Sequence, residues 1–256
     1  MEYLTITSKE NPLIKALTKL NQSSKERQNA GLFLVEGLRL CQDCFENNIL
    51  FETVVFTKDF MQKFSNETEN FSAKAKQTVI VPDYIFEKIA DTKTPQGVLA
   101  TVKIPNNKYS INKNGRYIAL ENIADPANLG AISRTAEALG ISGIIISGGS
   151  CDPYSPKCIR ASMGALLRLP IIVSDNFLFD LKNSGLNLYA CVVKGGKKIN
   201  SVNFSDGSAV LIGNEANGLK PETAEACEKI TIPMQGRVES LNASVAAAVA
   251  MWELIR

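Results

Sequence analysis

A chain of 256 residues with 45% hydrophobic content has ample apolar material for one large α/β domain or two small ones. It contains no histidine, which excludes a Ser-His-Asp triad, a zincin helix and any imidazole general base. A formal net charge of only +2 confines any basic surface to a local patch, and six cysteines without paired knuckles offer a structural zinc few ligands. Cys41 and Cys44 read as one face of a helix in a reducing compartment. No basic leader precedes an apolar run, and the apolar stretch 245–252 is too short to span a bilayer, so a cytoplasmic location is expected.

In chain order, residues 11–20 predict an amphipathic helix with Pro12 near its start, where a missing N–H costs nothing. Residues 32–35 and 53–56 read as buried strands around a helix over 36–47. A strand over 78–81 leads through Pro82 into a helix over 83–90, and 97–102 supplies a further strand. This half predicts a small α/β/α sandwich. Residues 104–115, rich in Pro, Asn, Lys and Gly, read as an interdomain linker. The pattern restarts with strands over 117–120, 143–146, 171–173, 188–193, 210–212 and 229–232, helices over 129–139 and 156–167, and a helix from about Asn242. Repeated alternation of apolar strands and helices means a mostly parallel sheet covered on both faces. The division expected is 1–103, 104–115 and 116–256.

Three loops in the second half could carry chemistry. The first, 121–135, follows a strand and opens a helix, so backbone N–H groups and the positive helix end are available to an anion, with Arg134 able to add a bidentate grip. Its bland alternative makes Asn128 an N-cap and Arg134 a solvated charge. The second, Gly213-Asn214-Glu215-Ala216-Asn217-Gly218, has glycines that permit close backbone approach, and Glu215 could handle a proton or hold Arg134. A plain strand-to-helix turn looks the same. In the third, 233–244, Gly236 can bend the chain around a flat ligand and Ser240 and Asn242 offer polar groups at a helix start. Capping alone would explain Ser240, but not so polar a detour before so apolar a helix.

Taken together, Asn128-x-Gly130-x-x-x-Arg134-Thr-Ala, Gly213-x-Glu215-x-x-Gly218-Leu, and Ile232-Pro-Met-x-Gly-x-Val-Glu-Ser-Leu-Asn-x-Ser-Val-Ala246 resemble, in order and spacing, the three motifs of the SpoU (TrmH-like) RNA ribose 2′-O-methyltransferases of the SPOUT superfamily. The resemblance covers 116–256. Ala243 departs from it, since many relatives carry valine there. Through Ser8-Lys-Glu-Asn-Pro-Leu-Ile-Lys15 and Phe33-Leu-Val-Glu-Gly-Leu-Arg39, the first hundred residues are similar to the substrate-binding domain often joined to this catalytic domain, akin in fold to ribosomal protein L30e.

The resemblance implies methyl transfer from S-adenosylmethionine to a ribose 2′-hydroxyl, no metal, a deep trefoil knot in the carboxy-terminal domain and a homodimer built on it. Strand periodicity alone would read as Rossmann-like, since knots are rare. By the same carry-over, Asn128, Arg134, Glu215, Ser240 and Asn242 are the expected catalytic residues. Ile212, Gly213, Asn214, Gly218, Ile232, Met234, Gly236 and Leu241 are expected around the cofactor. Lys9, Lys15, Lys19, Lys25, Arg27 and Arg39 are candidates for an RNA-binding face, with ordinary solvated helix faces as the alternative. Ribosomal RNA is preferred to transfer RNA by analogy, because the added domain is typical of the ribosomal enzymes. Competing readings are a transfer-RNA enzyme, a non-catalytic RNA-binding or ribosome-assembly factor of the same fold, and a dinucleotide oxidoreductase, which lacks its Gly-x-Gly-x-x-Gly after the first strand of either half.

Overall fold

The computed structural model describes residues 3–105 and 111–256, so residues 106–110 of the expected linker lie outside the described residues. Two compact units divide the chain: Met1–Pro105 with Tyr154–Arg160, and Asn106–Pro153 with Ala161–Arg256.

The first unit runs β1 (Leu4–Thr5), α1 (Pro12–Gln22), α2 (Ser24–Ala30), β2 (Leu32–Glu36), α3 (Leu38–Glu46), β3 (Phe51–Phe56), α4 (Lys58–Lys63), α5 (Ser65–Ala73), β4 (Ala75–Ile80), α6 (Asp83–Ile89) and β5 (Val98–Lys103). Its sheet has the order β1-β4-β3-β5-β2, parallel from β1 to β3 and antiparallel through β5 to β2. The α1 helix forms where the apolar period places it. Asn11 caps it by accepting the Leu13 N–H at 2.9 Å, Pro12 takes the first position, and Ile14, Leu17 and Leu20 are buried at helical spacing. They pack with Ile85, Phe86 and Ile89 of α6 against Leu34, Val55 and Val79 of the sheet. A second buried set, with Cys41, Cys44, Phe51 and Phe71, lies under α3 and α5, where the Phe51 and Phe71 rings meet edge-on at 5.9 Å. The short helices α2, α4 and α5 have no counterpart in the sequence reading; each is too brief to show a periodic apolar face.

The second unit's elements are β6 (Arg116–Leu120), α7 (Pro126–Ala138), β7 (Gly143–Ser147), α8 (Pro156–Ser162), β8 (Ile171–Ser174), α9 (Phe177–Asn183), β9 (Asn187–Cys191), β10 (Lys197–Lys198), β11 (Ser208–Ile212), α10 (Pro221–Glu225), β12 (Glu228–Thr231) and α11 (Ala243–Ile255), with the residues of α8 up to Arg160 clustering with the first unit. Seven parallel strands follow the order β10-β12-β9-β11-β6-β7-β8. The central strands are apolar throughout because both faces are covered. Ile118 stands between Val210 and Ile144, and all three are buried. Helix α11 packs on α7, β11 and β6. Tyr117, Ala119, Ala209 and Leu211 instead face Phe177 and Leu181 of α9.

Several boundaries differ from expectation. The helix expected over 156–167 stops at Ser162, because Met163 and Gly164 turn left-handed (φ 50° and 86°) and only a 3-10 turn, Ala165–Leu167, follows. The strand expected over 188–193 ends at Cys191. The helix expected from residue 129 begins at Pro126, capped by Asp125, whose side chain accepts the Ala127 N–H at 3.0 Å.

Candidate active site

A cavity of about 510 Å³ opens beyond the carboxyl ends of the neighbouring strands β9, β11 and β12. Loops at that end of a parallel sheet are where its ligands bind. One wall is the turn after β11, residues 213–218; a second is 232–241 after β12; a third is Val192, Val193 and Lys194, freed by the early end of β9; Ala243 and Ala246 of α11 complete it.

The turn after β11 is tightly specified. Asn214 and Gly218 exchange backbone hydrogen bonds at 3.0 and 2.8 Å. The Asn214 side chain accepts the N–H groups of Ala216 and Asn217 and donates to the Asn122 carbonyl at 2.8 Å. A Cβ on Gly213 would run into the backbone of Gly218 and Leu219, and Gly218 itself has φ 69°. Glycine is therefore required at both positions, at one for space and at the other for conformation. Gly236 has neither requirement: nothing lies within 4 Å of where its Cβ would be, and its φ is not positive.

Polar side chains join the first loop to the other two. The Asn128 amide donates to Glu215 Oε1 at 2.8 Å and accepts from the Asn242 amide at 3.1 Å. Glu215 Oε2 also accepts the Ala124 N–H at 3.3 Å. Asn242 caps α11 by accepting the Ser244 N–H at 2.9 Å and the Val245 N–H at 3.4 Å. Partial burial raises the Glu215 pKa, but hydrogen bonds from Asn128 and from backbone N–H groups outweigh it, so the carboxyl titrates below its ordinary 4.5. Burial pushes the Cys191 thiol up to about 11; it lines the cavity as a neutral wall, not a nucleophile.

Of the residues expected around a cofactor, Ile212, Gly213, Asn214, Gly218, Ile232, Met234 and Leu241 line the cavity, while Gly236 does not. Glu215 and Ser240 of the expected catalytic set line it as well. Asn128 and Asn242 stand behind it in the network, and Arg134 is exposed on α7 outside the lining. Two local expectations need correction. Glu215 holds Asn128 and the Ala124 N–H instead of Arg134, and the bland reading of Ser240 as a helix cap gives way to Asn242, which caps the last helix. The lining residues Val192 and Val193 were missed in the sequence because they read as strand, and Lys194 with them; their signal was position, at the end of a strand next to β11.

In the first unit, Lys9, Lys15, Lys19, Lys25 and Arg39 are exposed. Lys15 pairs with Glu10 at 2.6 Å, and the Lys9 ammonium lies 5.2 Å from the centre of the Tyr84 ring. Arg27 leaves the RNA-binding set. It is 4% exposed, and its guanidinium donates to the carbonyls of Leu20 and Asn21 at the end of α1 at 2.6 and 3.2 Å.

Among the described residues no helix is long and apolar enough to cross a membrane, and no three ligating side chains gather for a metal.

Known proteins with the same arrangement were found at both sequence and structure level. The SpoU rRNA Methylase family model matches residues 115–252, and an MRM3-like substrate binding domain matches 11–100. An uncharacterized tRNA/rRNA methyltransferase of Synechocystis is 32% identical over 98% of this chain and 93% of its own length. The 23S rRNA (guanosine(2553)-2′-O)-methyltransferase RlmP of Bacillus subtilis is 25% identical over 97% of this chain and 98% of its own. An AdoMet-bound rRNA methyltransferase from Sinorhizobium meliloti superposes with a TM-score of 0.86 at 28% identity, covering 98% of this chain and 97% of that one. The SpoU methyltransferase AviRb from Streptomyces viridochromogenes, in complex with AdoMet, gives 0.87 at 25% identity, covering 96% and 97%. With the family model spanning more than half of the sequence and the three motif loops meeting around one cavity, this chain belongs to the SpoU rRNA methylase family.

Proposed function

We propose that this enzyme transfers a methyl group from S-adenosylmethionine to a ribose 2′-hydroxyl of ribosomal RNA. The observation that carries the reading is the convergence of the second and third motif loops on one cavity, with Asn128 joining the first loop to both. The fit is physical as well as positional. Apolar Ile212, Ile232, Met234 and Leu241 offer walls for a flat base, and the turn 213–218 approaches closely enough that a Cβ at Gly213 has no room.

When bound, S-adenosylmethionine supplies a methyl group already activated on a sulfonium, so alignment is the protein's main task. The backbone of 212–218, 232–234 and Leu241 holds the adenosine and methionine. Asn128, fixed from both sides by Glu215 and Asn242, presents a rigid edge to the ribose; Ser240 reaches the substrate from the third loop. A guanidinium is no general base, so the part of Arg134 is to hold an RNA phosphate and stabilise the alkoxide that develops on the 2′-oxygen as the hydroxyl proton passes to solvent. Only RNA offers that hydroxyl. The first unit selects the RNA, with Lys9, Lys15, Lys19, Lys25 and Arg39 tracking phosphates. Ribosomal RNA is preferred because B. subtilis RlmP and a 23S rRNA (uridine(2479)-2′-O)-methyltransferase of S. viridochromogenes are named for it.

The insertion of β11 between β6 and β9 supports the deep trefoil knot. Exposed Val245 and Trp252 on α11 support a homodimer through the carboxy-terminal domain, and six cysteines outside any disulfide among the described residues support the cytoplasm.

The test is transfer of labelled methyl from S-adenosylmethionine to deproteinised ribosomal and transfer RNA from cells lacking this protein. Label should enter ribosomal RNA and fall on the order of 10²–10³-fold with Arg134→Ala. Cofactor affinity should stay unchanged, because Arg134 does not line the cavity. Label in transfer RNA alone would move the substrate class. Binding without transfer to either pool would point to an assembling ribosomal particle, and no cofactor binding would leave a non-catalytic factor.

A further inference from the structure

One buried carboxylate has no part in the chemistry above. Glu121 follows β6 directly and is 4% exposed. Its Oε2 accepts the backbone N–H of Lys220 at 2.8 Å, and its Oε1 accepts the hydroxyl of Thr223 at 2.7 Å. Each carboxyl oxygen therefore accepts one hydrogen bond. The donors are the N-cap residue and the third residue of α10, a five-residue helix whose N-cap side chain makes no capping bond. Glu121 holds the start of that helix from 99 residues away in sequence.

Lys220 ends the turn that walls the large cavity. That turn is tied to the first loop at Asn122, Ala124 and Asn128 through its leading residues Asn214 and Glu215. At its trailing end the hydrogen bond back to the first loop is the one from Lys220 to Glu121. Packing acts there too, since Leu219 lies against the core of the second unit and Thr223 is 1% exposed, but a second cavity of about 250 Å³ lies against Glu121, Lys220 and Thr223 on the other side. We propose that Glu121 is a positioning residue: by clamping Lys220 and Thr223 it holds the turn 213–220 in the shape that binds the methyl donor. This rests on the proposed function for the identity of the ligand, but not for the clamp itself.

Two readouts separate the two ideas. In the unliganded protein, Glu121→Ala should speed amide hydrogen exchange across 213–223 while leaving the core strands β6 and β7 protected. By calorimetric titration with S-adenosylmethionine, the same variant should bind about tenfold more weakly, the scale of a lost charged hydrogen bond, with kcat at saturating donor within a few fold of wild type. Glu121→Gln should restore most of both, since its amide oxygen can accept from Lys220 while its amide nitrogen donates to Thr223. If Glu121→Ala does not fold, Thr223→Val, which removes one arm of the clamp, should show a smaller shift in the same two readouts. Unchanged exchange with unchanged affinity would overturn the proposal, as would a lower Tm accompanied by neither effect. Wild-type protein that fails to bind the donor would refute the function, and exchange would still decide the clamp.

Discussion

Glu215 ties the second loop to the first, and its ionisation links that contact to pH. Its folded pKa lies below the ordinary 4.5. The sign follows from linkage: the carboxylate contributes stability that is fully present above 4.5 and is lost as pH falls from there through the lower folded value. Wild-type protein should therefore lose stability in that window relative to Glu215→Gln, measured as denaturant midpoints from neutral pH downward. Parallel curves for the two proteins would sink the idea. Residue identity marked this position in the sequence, because a carboxylate between two glycines after a strand is an unusual tip. Its partner was not marked, since Asn128 lies 87 residues earlier. Arg27 shows the reverse error. A basic residue beside Lys25 reads as surface charge, and only the fold reveals two carbonyls at the end of α1 that need a donor.

At the scale of elements, α11 depends on Asn242 in two separable ways. Its side-chain oxygen caps the helix, and its amide nitrogen donates to Asn128. Asn242→Asp keeps the cap and loses the donor, so melting should stay near wild type while turnover falls. Asn242→Ala loses both and should also cost about 1 kcal/mol, a few degrees in Tm. Equal turnover in Asn242→Asp and wild type would show that the contact with Asn128 has no part in catalysis. Element existence was legible wherever an apolar period ran long enough, as in α1, α7, α11 and the central strands. Ends were less legible, because they depend on which residue wins a cap or a left-handed turn. Asp125 took the cap of α7 that Asn128 could have taken, freeing the Asn128 amide for Glu215. Met163 and Gly164 stopped a helix whose apolar pattern continued.

For the whole molecule, the proposed dimer can be read from one side chain. Trp252 is the sole tryptophan and is 57% exposed in the single chain. Its emission should be blue-shifted and shielded from acrylamide at concentrations where light scattering gives twice the chain mass, and Val245→Glu should reverse both. A monomeric mass with quencher-accessible Trp252 at every concentration would remove the dimer through α11.

By itself, the sequence determined two α/β halves, a parallel sheet in the second, the exclusion of imidazole chemistry, and three polar loops whose spacing resembles one enzyme family. These follow from local properties: apolar period, turn chemistry and residue type act within a few positions of the chain. Tertiary structure alone decided that β11 enters between β6 and β9, which sets the loops after β9, β11 and β12 around one cavity. It also decided which polar groups meet. Asn128 finds Glu215, Asn242 finds Asn128, and Glu121 finds Lys220, because the fold, not the chain order, brings each donor within reach of its acceptor.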